Sequence, residues 1–277
     1  MKIAVSGKGG VGKTTLVALL GYLYKEEGRR VLLVDADTNG NLAAALGYKG
    51  DQIKPISEMK ELIEERVGEA GSIFKLNPRV EDIPEGYSLN LEGIRLLVIG
   101  GMKRGGSGCA CPQNTFLKNL MANLILERDE VIILDMEAGI EHLGRATAKA
   151  VEAIIVVVEP GMRSINTALE INRLAKDIGI ERVFIVGNKI RSQSDIFFIE
   201  NNISLPILGF VSYNEGLVEI DIKGDAVFCN KKVIEEVFRI KKNWDGSPLF
   251  ESLRLKDGVE IRNLKLAEEA ESFLPNF

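Results

Sequence analysis

The stretch Lys2-Ile3-Ala4-Val5-Ser6-Gly7-Lys8-Gly9-Gly10-Val11-Gly12-Lys13-Thr14-Thr15 decides the fold. Its first five residues read as an apolar strand, and Thr14-Thr15-Leu16-Val17-Ala18-Leu19-Leu20 reads as the opening of an apolar helix. Between them, Gly7 to Thr14 fits the frame G-x-x-x-x-G-K-[ST]. In that frame a glycine-rich turn lets backbone N–H groups surround phosphate oxygens at a helix N-terminus. Gly9, Gly10, Val11, Gly12, Lys13, Thr14 and Thr15 are therefore assigned to phosphate. The Lys13 ammonium reaches for the β/γ-phosphates and the Thr14 hydroxyl for Mg²⁺. A strand before the turn and a helix after it distinguish this segment from a glycine-rich turn without chemistry.

Further along, β-branched runs recur at 30–34, 94–99, 131–134, 153–158, 182–186 and 206–211. They lack strict polar alternation, as strands buried on both faces do, and helix-length segments separate them. The pattern predicts a doubly wound, mostly parallel α/β sheet of the P-loop NTPase type, with ligands beyond the carboxyl ends of the strands. Residues 71–92, which include Pro78, Pro84 and Gly86, predict a long surface loop. Beyond 240 the strand–helix rhythm lapses, so 1–240 is read as the nucleotide domain and 241–277 as a C-terminal extension packed on it. Asp257-Gly258 suits a hairpin turn in that extension, and 264–274 a short acidic helix.

The chain has 277 residues, 45% of them apolar, enough for one large core. A net charge of -5 argues against an obligate nucleic-acid partner, because counterion release needs a concentrated cationic face, though it leaves room for a local basic patch. Three cysteines are too few for a disulfide scaffold, and no apolar run approaches the ~18 residues of a membrane span. The expectation is a cytoplasmic protein without a membrane partner.

Lys8 is an extra lysine inside the glycine-rich frame, and on its own it reads as a solvated loop residue. With that lysine the loop resembles the deviant phosphate loop of the SIMIBI-class ATPases. These comprise Min septum-positioning and partition ATPases, nitrogenase iron protein and metal-cluster accessory ATPases. The resemblance implies a homodimer with ATP sandwiched between subunits, Lys8 crossing to the partner's nucleotide as a second cation on the transferring phosphate. It also makes Val34-Asp35-Ala36-Asp37 switch I, with Asp37 acting on the attacking water and Asp35 supporting the magnesium shell. By pattern alone the two aspartates read equally well as caps of the next helix. The family often has proline where this chain has Thr38. Likewise Asp135-Met136-Glu137-Ala138-Gly139 matches the family's D-x-x-A-G switch II, in which Asp135 holds Mg²⁺ and the Gly139 backbone senses the γ-phosphate.

Base choice rests on Asn188-Lys189-Ile190-Arg191: a guanine reader of the N-K-x-D type needs a carboxylate at the last place, so Arg191 favours ATP. The resemblance places Asn188 against adenine, with Ser212 and Asn214 nearby. A helix cap is the alternative at Asn188.

Cys109 and Cys111 lie in Gly105-Gly106-Ser107-Gly108-Cys109-Ala110-Cys111-Pro112. In extended chain, residues two apart face one side, so both thiolates can point at one site. Two thiolates under-fill a soft ion, whereas two such pairs meeting at a dimer axis supply four sulfurs. That set suits tetrahedral Zn²⁺ or planar Ni²⁺, and packed cysteines are the alternative. Taken with the phosphate loop, the two switches and Phe116-Leu117-Lys118, this segment resembles the CooC-type ATPases over roughly residues 1–240. Those are nickel-insertion accessory proteins of carbon monoxide dehydrogenase, with relatives serving acetyl-CoA synthase. The resemblance implies a Mg-dependent ATPase, homodimeric in its ATP state, that carries Ni²⁺ or Zn²⁺ at Cys109 and Cys111 and docks on an apo metalloenzyme.

Three other classes compete, of which a nonenzymatic metal-storage protein would not require the complete phosphate machinery. An iron–sulfur carrier of the iron-protein type would hold its cluster with C-x-x-C or widely separated cysteines. A Min-like or partition ATPase would need a basic membrane helix or a DNA-binding face, and the terminal segment 264–274 is acidic. Outside these motifs, Cys229 is expected to be a packed thiol and His142 a hydrogen-bonding side chain. Lys231, Lys232, Arg239, Lys241 and Lys242 are expected on a solvated helix face.

Overall fold

Along β2 (Val31–Ala36), Leu32 and Val34 pack into one apolar layer, while Val31 and Leu33 pack into the other. A strand buried on both faces needs helices on both sides of its sheet, and the chain supplies them. The structure, a computed structural model, describes residues 1–38, 40–68, 75–100, 112–126, 130–137, 139, 140, 143 and 151–246.

The other strands are β1 (Lys2–Ser6), β3 (Leu89–Leu91), β4 (Ile94–Val98), β5 (Val131–Met136), β6 (Ala153–Val158), β7 (Val183–Ile190) and β8 (Ile207–Ser212). They form one eight-stranded sheet in the order β3-β4-β2-β5-β1-β6-β7-β8. Every pairing is parallel except β3 with β4.

The described helices are α1 (Lys13–Glu26), α2 (Leu42–Ala45), α3 (Lys60–Val67), α4 (Ile83–Tyr87), α5 (Pro112–Leu126), α6 (Met162–Ile178), α7 (Gln193–Asn202), α8 (Glu215–Lys223) and α9 (Lys231–Asp245). Residues of α3, α5, α6 and α7 join one core layer, and residues of α1, α2 and α9 the other. Among the described residues, no helix is long and apolar enough to cross a membrane.

The expected doubly wound sheet is present, and four local features differ from expectation. Residues 75–92 are not a plain loop, because they carry α4 and the edge strand β3. A two-residue turn joins β3 to β4: Glu92 and Gly93 have φ of 51° and 87°, and the Gly93 N–H bonds Asn90 Oδ1 at 2.9 Å. Positive φ at both turn positions matches the right-handed twist of a hairpin. Helix α9 runs past residue 240, burying Ile240 and Trp244, the latter edge-on to Phe184. Lys241 leaves the solvated face expected for it. It is buried against Glu27 (2.6 Å) and Asp245 (2.5 Å), because the spacing Val233, Val237, Ile240, Lys241, Trp244 keeps it on the core stripe. Cys229 is exposed rather than packed, at the end of the 3₁₀ turn Val227–Cys229. Residues 247–277, with the expected Asp257-Gly258 hairpin and acidic helix, lie outside the described residues.

Candidate nucleotide site

Strands β2, β5, β1, β6 and β7 stand side by side, so the segments leaving their carboxyl ends converge on one rim of the sheet. The phosphate loop leaves β1. Gly12 precedes α1 with φ 98° and offers no side-chain cap, so the first N–H groups of the helix have no capping side chain to satisfy them. Orphan donors at a helix start, with the positive end of its dipole, attract phosphate. A Cβ on Gly12 would sit 2.2 Å from Asn188 Nδ2, and one on Gly7 would sit 2.4 Å from the Val157 carbonyl. Both glycines are thus required by close approach. Lys13 is buried, its Nζ 3.5 Å from the Lys8 carbonyl, which curls the ammonium back over the loop.

The two switch aspartates meet by strand register, since Asp35 of β2 pairs directly with Asp135 of β5, and both side chains are fully buried. Asp135 Oδ2 accepts the Thr14 hydroxyl at 2.7 Å. Among the described residues no hydrogen bond reaches its Oδ1, although that atom is buried. Burial chiefly pushes the Asp135 carboxyl up to about 7; the Thr14 bond and Lys13 oppose the shift, while Asp35 and Asp37 add to it. A buried, half-partnered carboxylate beside a hydroxyl fits a Mg²⁺ ion, which binds one or two protein oxygens and completes its shell with water and substrate phosphates. Thr14 and Asp135 are the residues that would hold it. No group of three or more His, Cys, Asp or Glu is arranged for a metal among the described residues.

Asp35 is committed differently. Its Oδ1 accepts the Asp37 N–H at 3.1 Å and its Oδ2 the Leu42 N–H at 3.0 Å, so both oxygens are spent on organising the loop after β2. Burial raises its carboxyl to about 6; the two backbone bonds lower it, and the Asp37 charge raises it further. Asp37 itself stands at the start of that loop, half-buried.

Further contacts hold the switches, and no motif announces them. The Thr38 N–H donates to Glu137 Oε1 at 2.9 Å and its hydroxyl bonds the same oxygen, tying switch I to switch II. The buried Ser6 hydroxyl lies 2.9 Å from the Glu137 carbonyl and 2.8 Å from that of Gly139, and its oxygen accepts the Gly139 N–H at 3.3 Å.

On the base side, Asn188 Nδ2 donates to the Val11 carbonyl at 2.7 Å and its Oδ1 accepts the Lys189 N–H at 2.8 Å. It braces the phosphate loop and caps no helix. Ser212 donates its hydroxyl and N–H to Glu236, at 2.7 and 3.0 Å. Asn214 caps α8 by accepting the Gly216 N–H at 2.9 Å. Those two polar groups therefore have protein partners at the rim. Close by, the Arg191 guanidinium stacks 4.9 Å from the Tyr213 ring centroid.

Lys8 Nζ pairs with Glu159 Oε1 at 2.8 Å, within its own chain. Lys189 Nζ reaches Glu159 Oε2 at 3.2 Å and donates to the Gly10 carbonyl at 2.6 Å. Burial of Glu159 works against its ionisation, but its hydrogen bonds and charge pairing with Lys8 and Lys189 outweigh that and hold its carboxyl below the usual range. Glu159 lies in no motif, and Lys189, although inside the Asn188–Arg191 motif, was given no role by it. Cys109, Cys111 and His142 lie outside the described residues.

A deviant phosphate loop, two aspartate switches on neighbouring strands and this sheet order define a class. Residues 2–227 match the CobQ/CobB/MinD/ParA nucleotide binding domain, and the chain belongs to that family. Within it, the chain is 42% identical over 231 residues to the carbon monoxide dehydrogenase accessory protein CooC of Rhodospirillum rubrum, covering 81% of this chain and 88% of that one. It is also 40% identical over 247 residues to an uncharacterised ATP-binding protein of Methanocaldococcus jannaschii, covering 87% and 96%. The CooC resemblance drawn from the motifs is borne out. Among solved structures, MinD with Mg-ADP from Pyrococcus horikoshii aligns with a TM-score of 0.62 at 21% identity, over 88% of this chain and 95% of that one. The MinC:MinD complex of Aquifex aeolicus gives 0.65 at 19%, over 94% and 98%. At those identities the likeness concerns the fold.

Proposed function

We propose that this protein is an accessory ATPase that couples ATP binding and hydrolysis to delivery of nickel, or zinc in vitro, into carbon monoxide dehydrogenase or acetyl-CoA synthase. The observation that carries the proposal is the joint presence of a phosphate site with Lys8 and the Cys109/Cys111 pair, in a chain 42% identical to a carbon monoxide dehydrogenase accessory protein. A phosphate site alone would serve a positioning ATPase equally well.

In this reading the loop N–H groups and Lys13 bind the triphosphate, and the Thr14 hydroxyl and Asp135 take the ion that accompanies it. When bound, Mg²⁺ would neutralise negative charge on the triphosphate. Asp37, carried on the loop that Asp35 organises, orients water for attack on the γ-phosphorus. Asn188 keeps the loop in register at the base side. Lys8 extends to the partner's phosphates, closing a homodimer around ATP. Closure brings two Cys109/Cys111 pairs together, and the four thiolates take the metal cargo. Hydrolysis removes the γ-phosphate contact at Gly139, the Ser6-anchored switch II relaxes, and the dimer loosens on its target.

Sedimentation of the full chain in ATP and in ADP tests this. The wild type should pair in ATP and not in ADP, and Lys8→Ala should bind ATP yet stay monomeric. A Lys8→Ala protein that pairs normally in ATP would remove the cross-subunit role.

A further inference from the structure

We propose that Glu159 is a positioning residue: it holds the Lys8 side chain on its own subunit until triphosphate competes for it, and so sets the ATP concentration at which two chains pair. This rests on the reading of Lys8 above.

A carboxylate at the edge of a phosphate site is unfavourable for substrate unless a cation neutralises it, because like charges repel. Glu159 is nonetheless built in firmly. Its N–H donates to the Ser164 hydroxyl at 3.1 Å, and Ser164 is buried at the start of α6. Its two carboxylate oxygens are divided, Oε1 to Lys8 at 2.8 Å and Oε2 to Lys189 at 3.2 Å. Lys189 in turn adopts φ 57°, a left-handed conformation rare outside glycine, where the pairing of β7 with β8 shifts register between Gly187 and Ile190. That conformation turns its ammonium back over the loop onto the Gly10 carbonyl at 2.6 Å. Two lysines therefore share one carboxylate, and Lys8 is the one whose ammonium makes no further hydrogen bond among the described residues. When a triphosphate enters, its charge outweighs that of one carboxylate. Lys8 leaves, while Lys189, anchored also on Gly10, stays and keeps Glu159 neutralised. The resting pair withholds Lys8 from the interface, and Lys189 limits how strongly it is withheld.

Stepped-ATP sedimentation of four full-length proteins tests the proposal. An ion pair as exposed as Lys8–Glu159 contributes up to about 1 kcal/mol, which is about fivefold. Glu159→Gln should lower the ATP midpoint for pairing by about fivefold. Lys189→Gln keeps an amide near Gly10 but leaves Glu159 to Lys8 alone, and should raise that midpoint. By titration, Lys8→Ala/Glu159→Gln should bind ATP as Lys8→Ala does, because the carboxylate then has no Lys8 to withhold. A Glu159→Gln midpoint that is unchanged or raised overturns the proposal. So does an equal tightening of ATP binding with and without Lys8, which would mean bare repulsion. Normal pairing by Lys8→Ala would instead remove the underlying reading, and the proposal with it.

Discussion

Replacing Asp135 by asparagine should make the magnesium-free protein relatively more stable as pH rises. Asp135 is fully buried, one of its oxygens has no hydrogen bond among the described residues, and its carboxyl is raised from 3.8 to about 7. A carboxyl whose folded pKa is raised binds its proton more tightly when folded, so its charge costs stability progressively as pH climbs from the unfolded value to the folded one. At about 1.4 kcal/mol per unit, about 3 kcal/mol accrues from about pH 5 to about pH 7 and then levels off. At about 2 °C per kcal/mol for a chain of this size, the melting temperature of Asp135→Asn minus that of wild type should rise by about 6 °C over this interval. Asparagine also leaves a buried amide short of partners, a penalty of about 1–3 kcal/mol, but that term does not titrate and cancels from the slope. Asp35, raised to about 6, is common to both proteins. The assay is thermal unfolding of both in chelator, without nucleotide, in steps of pH. A difference that stays flat, or falls with pH, would refute the argument that Asp135 is an uncompensated anion awaiting a cation.

Asp37→Ala should retain ATP affinity while turnover drops by about 10²-fold or more, the scale of a lost water-positioning group; near-normal turnover would remove Asp37 from the chemistry. Gly12→Ala must hold φ near 98° and displace Asn188, whose Nδ2 would lie 2.2 Å from the new methyl. It should lose about 1–3 kcal/mol of stability and at least tenfold in ATP affinity, and unchanged affinity by titration would contradict the bracing role of Asn188.

The sheet was legible because its strands carry their information locally: an unbroken β-branched run such as Val31-Leu32-Leu33-Val34 has few alternatives to a doubly covered strand. The phosphate loop and the two aspartate motifs could be picked out for a related reason, since each is a contiguous run at a strand end. The turn Glu92-Gly93 was not, because glutamate at positive φ is uncommon and the dipeptide lacks the usual asparagine or aspartate. Lys241 was misplaced because its charge was weighed above its spacing on the α9 stripe. The partners of Glu159, Lys189, Glu137 and Ser6 became visible only when β2, β5, β1, β6 and β7 stood together, since each acts on a residue from another strand or loop. Glu137 lies inside the switch II motif, but at a position where that motif prescribes no residue type.

Equilibrium dialysis of the full chain against Ni²⁺, with ATP present, tests the central claim most directly. Four sulfurs drawn from two chains predict half an ion per chain, abolished by Cys109→Ala/Cys111→Ala and retained by Cys229→Ala. One ion per chain, or tight binding that survives the double substitution, would contradict a metal site shared across the ATP-closed dimer.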